Sequence, residues 1–269
     1  MKVSLINFNT FAAPLFSPDI TVRYKKITKN LEQENADVIC LQEISTYYHL
    51  LLIKRYLKQY PYLSYKKYLY GPKGGLVIAS KVPMEKVDYK PFTTLGSFKN
   101  MSFYTRLLQN GMLCVRLQKQ PLMFITTHLL YDFEFDWSPK NALYAYKQAE
   151  VEQVAKQVNE FVNSGYSVII TGDFNMKKHS KLYEDFLKQT KLRDTFAADN
   201  APTYYNDRFV DRFKGKTSER IDYIFLKEVK QKIKILSQSH VFDKKETLTN
   251  GKKSYLSDHS GLKVDFDIV

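Results

Sequence analysis

The chain has 269 residues, 41 of them Lys or Arg and 28 Asp or Glu, for a formal net charge of +13. With 44% hydrophobic and 26% charged residues it is not a disordered, collagenous or coiled-coil sequence. A chain this long buries about three quarters of its unfolded surface and needs no disulfide or metal to build a core. The positive excess predicts attraction to something anionic, whether nucleic acid, an acidic membrane surface or a phosphorylated substrate, without choosing among them.

The opening reads strand, helix, strand. Residues 3–8 alternate as a strand, Ser17-Pro18 reads as an N-cap with proline at the first helical position, and Tyr24, Ile27 and Leu31 mark one helical face. A buried strand over residues 38–41 follows, then a helix from about Thr46 with Leu50, Ile53, Tyr56 and Leu57 as its apolar side. Residues 63–70, 75–80, 86–92, 111–117 and 122–128 read as strands separated by glycine and proline turns. Ser138-Pro139 is expected to cap a long helix with Leu143, Tyr146, Val154, Val158 and Phe161 as apolar residues, ending before Gly165. A strand over 168–172, a helix around 182–187 and strands near 221–226, 230–236 and 262–268 complete the chain.

This pattern suggests a sheet-on-sheet sandwich covered by helices. No linker or repeat divides it, so one domain over residues 1–269 is expected. Cys40 and Cys114 sit in apolar runs and read as buried thiols rather than zinc ligands or a disulfide. Neither a signal peptide nor a run of roughly 20 apolar residues is found. The expectation is a soluble, reduced, cytoplasmic monomer, in peripheral contact with a membrane at most.

Polar and ionisable residues recur where strands end. Asn9 follows Leu5-Ile6-Asn7-Phe8, Glu43 follows Ile39-Cys40-Leu41-Gln42, and His128 ends Phe124-Ile125-Thr126-Thr127. Asp173 and Asn175 end Val168-Ile169-Ile170-Thr171-Gly172, Asp222 lies in Arg220-Ile221-Asp222-Tyr223, and Asp258-His259 precede the last strand. If these strand ends share one edge, their side chains converge in one cleft. Carboxylate and amide oxygens without thiolates suit a hard ion such as Mg²⁺, and the histidines and aspartates supply a proton acceptor, its orienting partner and donors to a phosphoryl group. Such a set points to phosphoester hydrolysis. Taken singly, each residue also has a structural reading, as a turn, a cap or a satisfied core group.

Seven segments in order carry a resemblance: Asn7-Phe8-Asn9, Leu41-Gln42-Glu43, Gly74-Gly75-Leu76-Val77-Ile78-Ala79-Ser80-Lys81-Val82-Pro83, Thr126-Thr127-His128-Leu129, Gly172-Asp173-Phe174-Asn175, Arg220-Ile221-Asp222-Tyr223 and Ser257-Asp258-His259. Through them the sequence resembles the endonuclease/exonuclease/phosphatase superfamily over nearly its whole length. The resemblance implies a four-layered α/β sandwich of the DNase I-like type, with two mixed, mainly antiparallel sheets flanked by helices. It also implies in-line attack by water on a phosphodiester with Mg²⁺, or Mn²⁺ as a substitute. Glu43 then looks like the principal metal ligand, with Asn9 beside it and Asp258 on the metal or a metal-bound water. His259 resembles the general base oriented by Asp222, Asp173 would position or activate the water or assist the leaving oxygen, and Asn175 and His128 would hold the phosphoryl oxygens. Whether aspartate or histidine takes the proton stays open.

Thr127-His128-Leu129 is similar to sphingomyelinases, the DNase I branch and phosphoinositide phosphatases. The doubled asparagine of Asn7-Phe8-Asn9, the Ala13-Pro14 loop and the strand after Gly74 favour neutral-sphingomyelinase-like enzymes, hence a phospholipid headgroup as substrate. A nuclease acting on DNA or RNA is the runner-up, and a catalytically silent binding module on the same scaffold is the third reading. Two surfaces add to the choice. Residues 55–68 interleave basic and aromatic side chains, which suits nucleic acid or lipid headgroups, although a helix end plus a strand with one buried tyrosine face is the simpler account. Residues 129–137 alternate aromatics with acids beside His128 and either dip into a membrane interface or pack beneath the next helix.

Overall fold

Side-chain alternation along the strands decides the layering, and it is described for residues 1–12, 17–93, 109–132, 134–209 and 217–269 of the computed structural model. Ala13, Pro14 and Phe133 of the sequence reading lie outside these residues. The first sheet contains β1 (Lys2–Asn9), β2 (Val38–Gln42), β3 (Tyr62–Ser64), β4 (Val77–Ser80), β11 (Ile233–Val241) and β14 (Gly261–Ile268), in the order β11-β14-β1-β2-β4-β3. The second contains β5 (Met84–Pro91), β6 (Gly111–Leu117), β7 (Leu122–His128), β8 (Ser167–Asp173), β9 (Arg193–Asp194) and β10 (Asp222–Lys227), in the order β5-β6-β7-β8-β10-β9. A small ribbon pairs β12 (Glu246–Thr247) with β13 (Lys253–Ser254). β1 and β2 run parallel, as do β7 and β8, and the other pairs are antiparallel.

One set of alternate residues, including Val3, Leu5, Val38, Cys40, Phe124, Ile169, Ile224 and Val264, forms the core between the sheets. The opposite set on β1 and β2, Ile6, Phe8, Ile39 and Leu41, packs on α1 (Ile20–Glu34) and α2 (Tyr47–Tyr56) through Tyr24, Ile27, Leu31, Leu50 and Ile53. On the other side Ile125, Ile170 and Phe225 pack on α3 (Tyr144–Asn163) and α4 (Lys181–Thr190) through Val154, Val158 and Phe186. Helix, sheet, sheet and helix therefore stack as four layers, as expected. Cys40 and Cys114 are free and buried, and burial pushes both thiols up. Among the described residues no helix is long and apolar enough to cross a membrane.

The strand expected near 230–236 runs over Ile233–Val241, and that over 75–80 begins at Val77. Three further boundaries differ from the sequence reading, each for a local reason. Helix α1 starts at Ile20 rather than at Pro18, because the Ser17 hydroxyl donates to the Phe11 carbonyl and Asp19 takes a left-handed conformation at φ 51°. Helix α3 starts at Tyr144, beyond Ser138-Pro139, because Asn141 is held by Asp132 and uses its own Oδ1 to accept the Leu143 N–H. The strand expected over residues 63–70 stops at Ser64. There the chain turns into a tight hairpin closed by Lys73 N–H to the Lys66 carbonyl, while Tyr47 captures the Tyr68 and Tyr70 carbonyls.

Helix α3 also buries a carboxyl. Glu150 is 3% exposed, accepts the Leu130 N–H at 2.7 Å, and is pushed up to about 8, chiefly by burial. The folded state therefore holds this proton over a range where the unfolded chain releases it, so the contribution to stability is full at low pH and is lost as pH rises toward 8. Glu150→Gln keeps an acceptor for Leu130 and removes the titration. Thermal unfolding should find the two proteins alike near pH 5 and the variant more stable at pH 8 and above, by on the order of 3 kcal/mol. Parallel curves at all pH values would mean that Glu150 is ionised in the folded protein.

Candidate active site

On five strands the residues facing the other sheet turn from apolar to polar toward the same edge. β1 reads Val3, Leu5, Asn7, Asn9 on that face, β2 reads Val38, Cys40, Gln42, and β7 reads Leu122, Phe124, Thr126, His128. β8 reads Ile169, Thr171, Asp173, and β10, running the other way, begins at Asp222 before Ile224 and Leu226. Strand register then does the assembly: Asn9 pairs with Gln42, His128 with Asp173, and Asp173 with Asp222. Gln42 bridges the sheets by donating to Asn7 Oδ1 at 2.8 Å and to Thr126 Oγ1 at 2.9 Å. Close approach of β7 to β8 requires Gly172, which sits at φ 149° and whose Cβ position would fall 2.0 Å from the Thr127 carbonyl oxygen.

Asp173 is the hub. Its Oδ1 accepts the Asn175 N–H at 2.9 Å and its Oδ2 accepts from Asn9 Nδ2 at 3.0 Å. The Nε2 atoms of His128 and His259 lie 3.6 and 3.7 Å from the same Oδ2, beyond direct hydrogen bonding, so both ring edges face a common point. Asn9 also donates to Glu43 Oε1 at 3.1 Å, while its own oxygen accepts the Phe11 N–H at 3.0 Å. Its amide thus ties two carboxylates together. Glu43 leaves β2 in a left-handed conformation, φ 62°, and Asn175 does so after β8, φ 45°. Asn175 Nδ2 donates to the Leu129 carbonyl at 2.9 Å.

His259 and Asp222 are fixed by one segment of chain. Thr203 Oγ1 accepts the N–H groups of Ile221 and Asp222, the Ser260 N–H donates to the Thr203 carbonyl, and the Tyr205 N–H donates to the Asp258 carbonyl. His259 Nδ1 donates to Asp222 Oδ2 at 2.8 Å, Asp258 Oδ1 lies 4.0 Å from Nε2, and the Tyr204 ring stands edge-on at 5.3 Å. Burial alone would lower the imidazole's basicity, but Asp222, with Asp173 and Asp258 behind it, raises it to about 10. Burial, with Asp222 next, pushes the Asp173 carboxyl up, and burial lowers His128. All eight residues expected at the site, Asn9, Glu43, His128, Asp173, Asn175, Asp222, Asp258 and His259, lie at this edge within one hydrogen-bonded network and its nearest neighbours.

The donor set fits a hard divalent cation. Glu43 Oε2 and Asp222 Oδ1 are buried oxygens with no hydrogen-bond partner among the described residues, and ligand atoms of Asp173, Asp222 and His259 lie within 4.8 Å of one another.

Several supporting residues escaped the sequence reading. The Arg23 guanidinium, fully buried, donates to the carbonyls of Thr10, Phe11, Pro18 and Leu256. Arg208 donates to the carbonyls of Ser257, His259 and Asp243 while stacked on Tyr205 and Tyr255. Nothing in the local pattern distinguishes either from a surface arginine, because the carbonyls they gather come from distant segments. The loop after His128 is anchored at two described residues: Asp132 pairs with Lys147 at 3.0 Å with both side chains buried, and Trp137 Nε1 donates to the Asn175 carbonyl at 2.9 Å. His49 is buried beside Tyr24 and lowered to about 4 by burial, His240 pairs with Asp199, and His179 is exposed.

Residues 8–259 match the model of the Endonuclease/Exonuclease/phosphatase family. No curated protein matches the sequence. Among solved structures the chain is similar to sphingomyelinase C from Streptomyces griseocarneus, with 17% identity, a TM-score of 0.69 and coverage of 98% of this chain and 99% of that one. It is similar to TDP2 of D. rerio complexed with single-strand DNA product, with 18% identity, a TM-score of 0.68 and coverage of 99% of both chains. A family protein from Bacteroides thetaiotaomicron gives 17% identity and a TM-score of 0.71 over 99% of this chain and 98% of that one. At these identities the likeness is one of fold.

The charge around His259 is open to a direct check. In metal-free protein, Asp222→Asn keeps an acceptor for Nδ1 but removes the charge that holds the proton. NMR titration should find His259 still protonated at pH 8 in the parent and titrating at least about two pH units lower in the variant. An unchanged midpoint would mean that Asp222 does not govern this imidazole.

Proposed function

The chain belongs to the endonuclease/exonuclease/phosphatase family of metal-dependent phosphoric ester hydrolases, and on that premise we propose that it hydrolyses a phosphodiester by attack of a water activated at Asp173. The observation that carries this reading is the setting of Asp173 Oδ2, bonded to Asn9 and faced by the Nε2 atoms of two histidines. A buried carboxylate whose affinity for a proton is raised accepts one from water more readily than an exposed one. His259, held as a cation between Asp222 and Asp173, then supplies positive charge and an N–H to a phosphoryl oxygen rather than acting as the base. His128, facing Asp173 Oδ2, and Asn175, whose N–H is bonded to Oδ1, would hold the phosphoryl oxygens. Glu43 and Asp258 would hold Mg²⁺, or Mn²⁺ in its place, with the Asn9 amide fixing Glu43. When bound, such an ion supplies positive charge to the phosphoryl and leaving oxygens.

For the substrate we favour a phospholipid headgroup, cleaved in the manner of a sphingomyelinase C. The motif strand after Gly74 and the Asn7-Phe8-Asn9 pair support it. So does the rim beyond His128, where Glu134 and Asp136 stand among aromatic rings that run from Tyr131 through Phe135 to Tyr204. Acids in the loop that follows His128 repel a polyanionic backbone. The second reading, a nuclease, draws on the +13 charge and on the fold shared with the DNA-bound TDP2.

Hydrolysis with Mg²⁺ and with EDTA tests both. Sphingomyelin and lysophospholipid micelles should release headgroup only with the metal, and single- or double-stranded DNA and RNA should be left intact. Asp173→Asn, His259→Ala and Glu43→Gln should each lower kcat by about a thousandfold or more. Cleavage of nucleic acid alone would replace the lipid reading with the nuclease. Undiminished turnover in Asp173→Asn would remove that residue as proton acceptor.

A further inference from the structure

Between Glu43 and Glu85 the chain contains no acidic residue: residues 44–84 carry seven of its Lys and Arg side chains and eight of its 20 tyrosines. More than half of the net charge of +13 therefore comes from less than a sixth of the sequence. None of these cations forms a salt bridge with a described residue.

The structure gathers the stretch into a surface with an apolar tip. Helix α2 turns Tyr48 and Leu51 to solvent, 49% and 58% exposed, on a face that continues into exposed Lys54 and Arg55. The hairpin over residues 66–73 is closed by Lys73 N–H to the Lys66 carbonyl at 2.8 Å and by Tyr68 N–H to the Gly71 carbonyl at 3.0 Å. At its turn Leu69 is 81% exposed, the most exposed of the large apolar side chains described. The Tyr47 N–H donates to the Tyr70 carbonyl and the Tyr47 hydroxyl to the Tyr68 carbonyl, which staples the hairpin to the first turn of α2. Ile44 N–H bonds the Gly75 carbonyl at 2.9 Å, so the same staple continues to the residue after Glu43, on one side of the cleft.

We propose that this surface, α2 together with the 66–73 hairpin, seats the protein on an anionic lipid membrane. Leu69 and Leu51 enter the acyl boundary, the tyrosines lie at headgroup level, and Lys54, Arg55, Lys66 and Lys67 meet anionic headgroups. Apolar residues scattered singly need no explanation, but leucines presented on a rigid helix face and hairpin tip within an all-cationic stretch match a bilayer in both charge and polarity. A nucleic acid would use the cations and tyrosine rings but has no contact for an aliphatic side chain projected beyond them, since leucine offers no stacking face. The proposal goes beyond the substrate reading and does not rest on it, because docking on a bilayer and cleavage of its lipids are separately measurable.

The test is vesicle flotation in EDTA, where hydrolysis plays no part, using phosphatidylcholine vesicles with and without phosphatidylserine at low and high salt. The parent protein should bind the phosphatidylserine vesicles, with part of the binding surviving high salt. Leu51→Ser with Leu69→Ser, which leaves net charge unchanged, should weaken the salt-resistant part by about tenfold. Lys66→Glu with Lys67→Glu should abolish the low-salt part, whereas Lys232→Glu with Lys234→Glu, an equal charge change at exposed positions just before and within β11, should not. Unfolding midpoints check that the variants remain folded. Full salt-resistant binding by the leucine variant, or equal losses from the two lysine pairs, would overturn the proposal. Binding of a labelled single-stranded oligonucleotide in place of vesicles, sensitive to Lys66 and Lys67, would overturn it in favour of nucleic acid.

Discussion

Carboxylates that cannot all keep their charge in a dry cleft set the terms for the rest of the site. Asp173 and Asp222 pair across adjacent strands, 2% and 0% exposed, with Glu43 and Asp258 at the edge. Two unit charges about 5 Å apart repel by about 3 kcal/mol at an effective dielectric constant of 20. Positive charge must therefore be brought in, and His259 supplies it through Nδ1 to Asp222 and through its far edge toward Asp173 and Asp258. Burial, with the charge of Asp222 second, raises the proton affinity of Asp173, and a buried oxygen of Glu43 has no hydrogen-bond partner among the described residues. The polarity of the cleft and the placing of its charges have one origin here.

That origin also explains how much could be read in advance. The residues of the cleft lie at odd or even positions continuous with the apolar residues of their own strands, so Val3-Leu5 leads to Asn7-Asn9 and Leu122-Phe124 to Thr126-His128 by simple alternation. A face that changes from apolar to polar at one end is visible in the letters, and the two-sheet sandwich that brings five such ends together is the fold the family resemblance implied. Out of reach were the groups whose partners are set only by tertiary geometry. Arg23 and Arg208 bind carbonyls from several loops, and Thr203 caps two N–H groups of a strand eighteen residues later. Their own neighbourhoods carry no periodic signal.

The misplaced boundaries have the same character. Ser17 and Ser138 are good caps by local chemistry, yet each helix begins later, because the Ser17 hydroxyl donates to the Phe11 carbonyl and Asp132 holds Asn141 in the segment after Ser138. Residues 65–70 have strand composition, but Tyr47 diverts their carbonyls, and the outcome is the exposed hairpin instead of a longer edge strand. Local propensity was overruled in each instance by a specific hydrogen bond to a residue outside the expected element.

The Ser257 hydroxyl donates to the Asn9 carbonyl across 248 residues of chain, and Arg23 reaches Leu256 across 233. β14, which follows directly, is inserted between β1 and β11. The first strand therefore gains one of its two neighbours only from residues about 250 positions further on. Asn9 and Glu43 belong to the early part of the fold, whereas Asp258 and His259 come with the segment that closes the sheet. A chain lacking residues 257–268 would hold half of the polar cluster and an open edge beside β1, so closure of the first sheet and assembly of the cluster are one event.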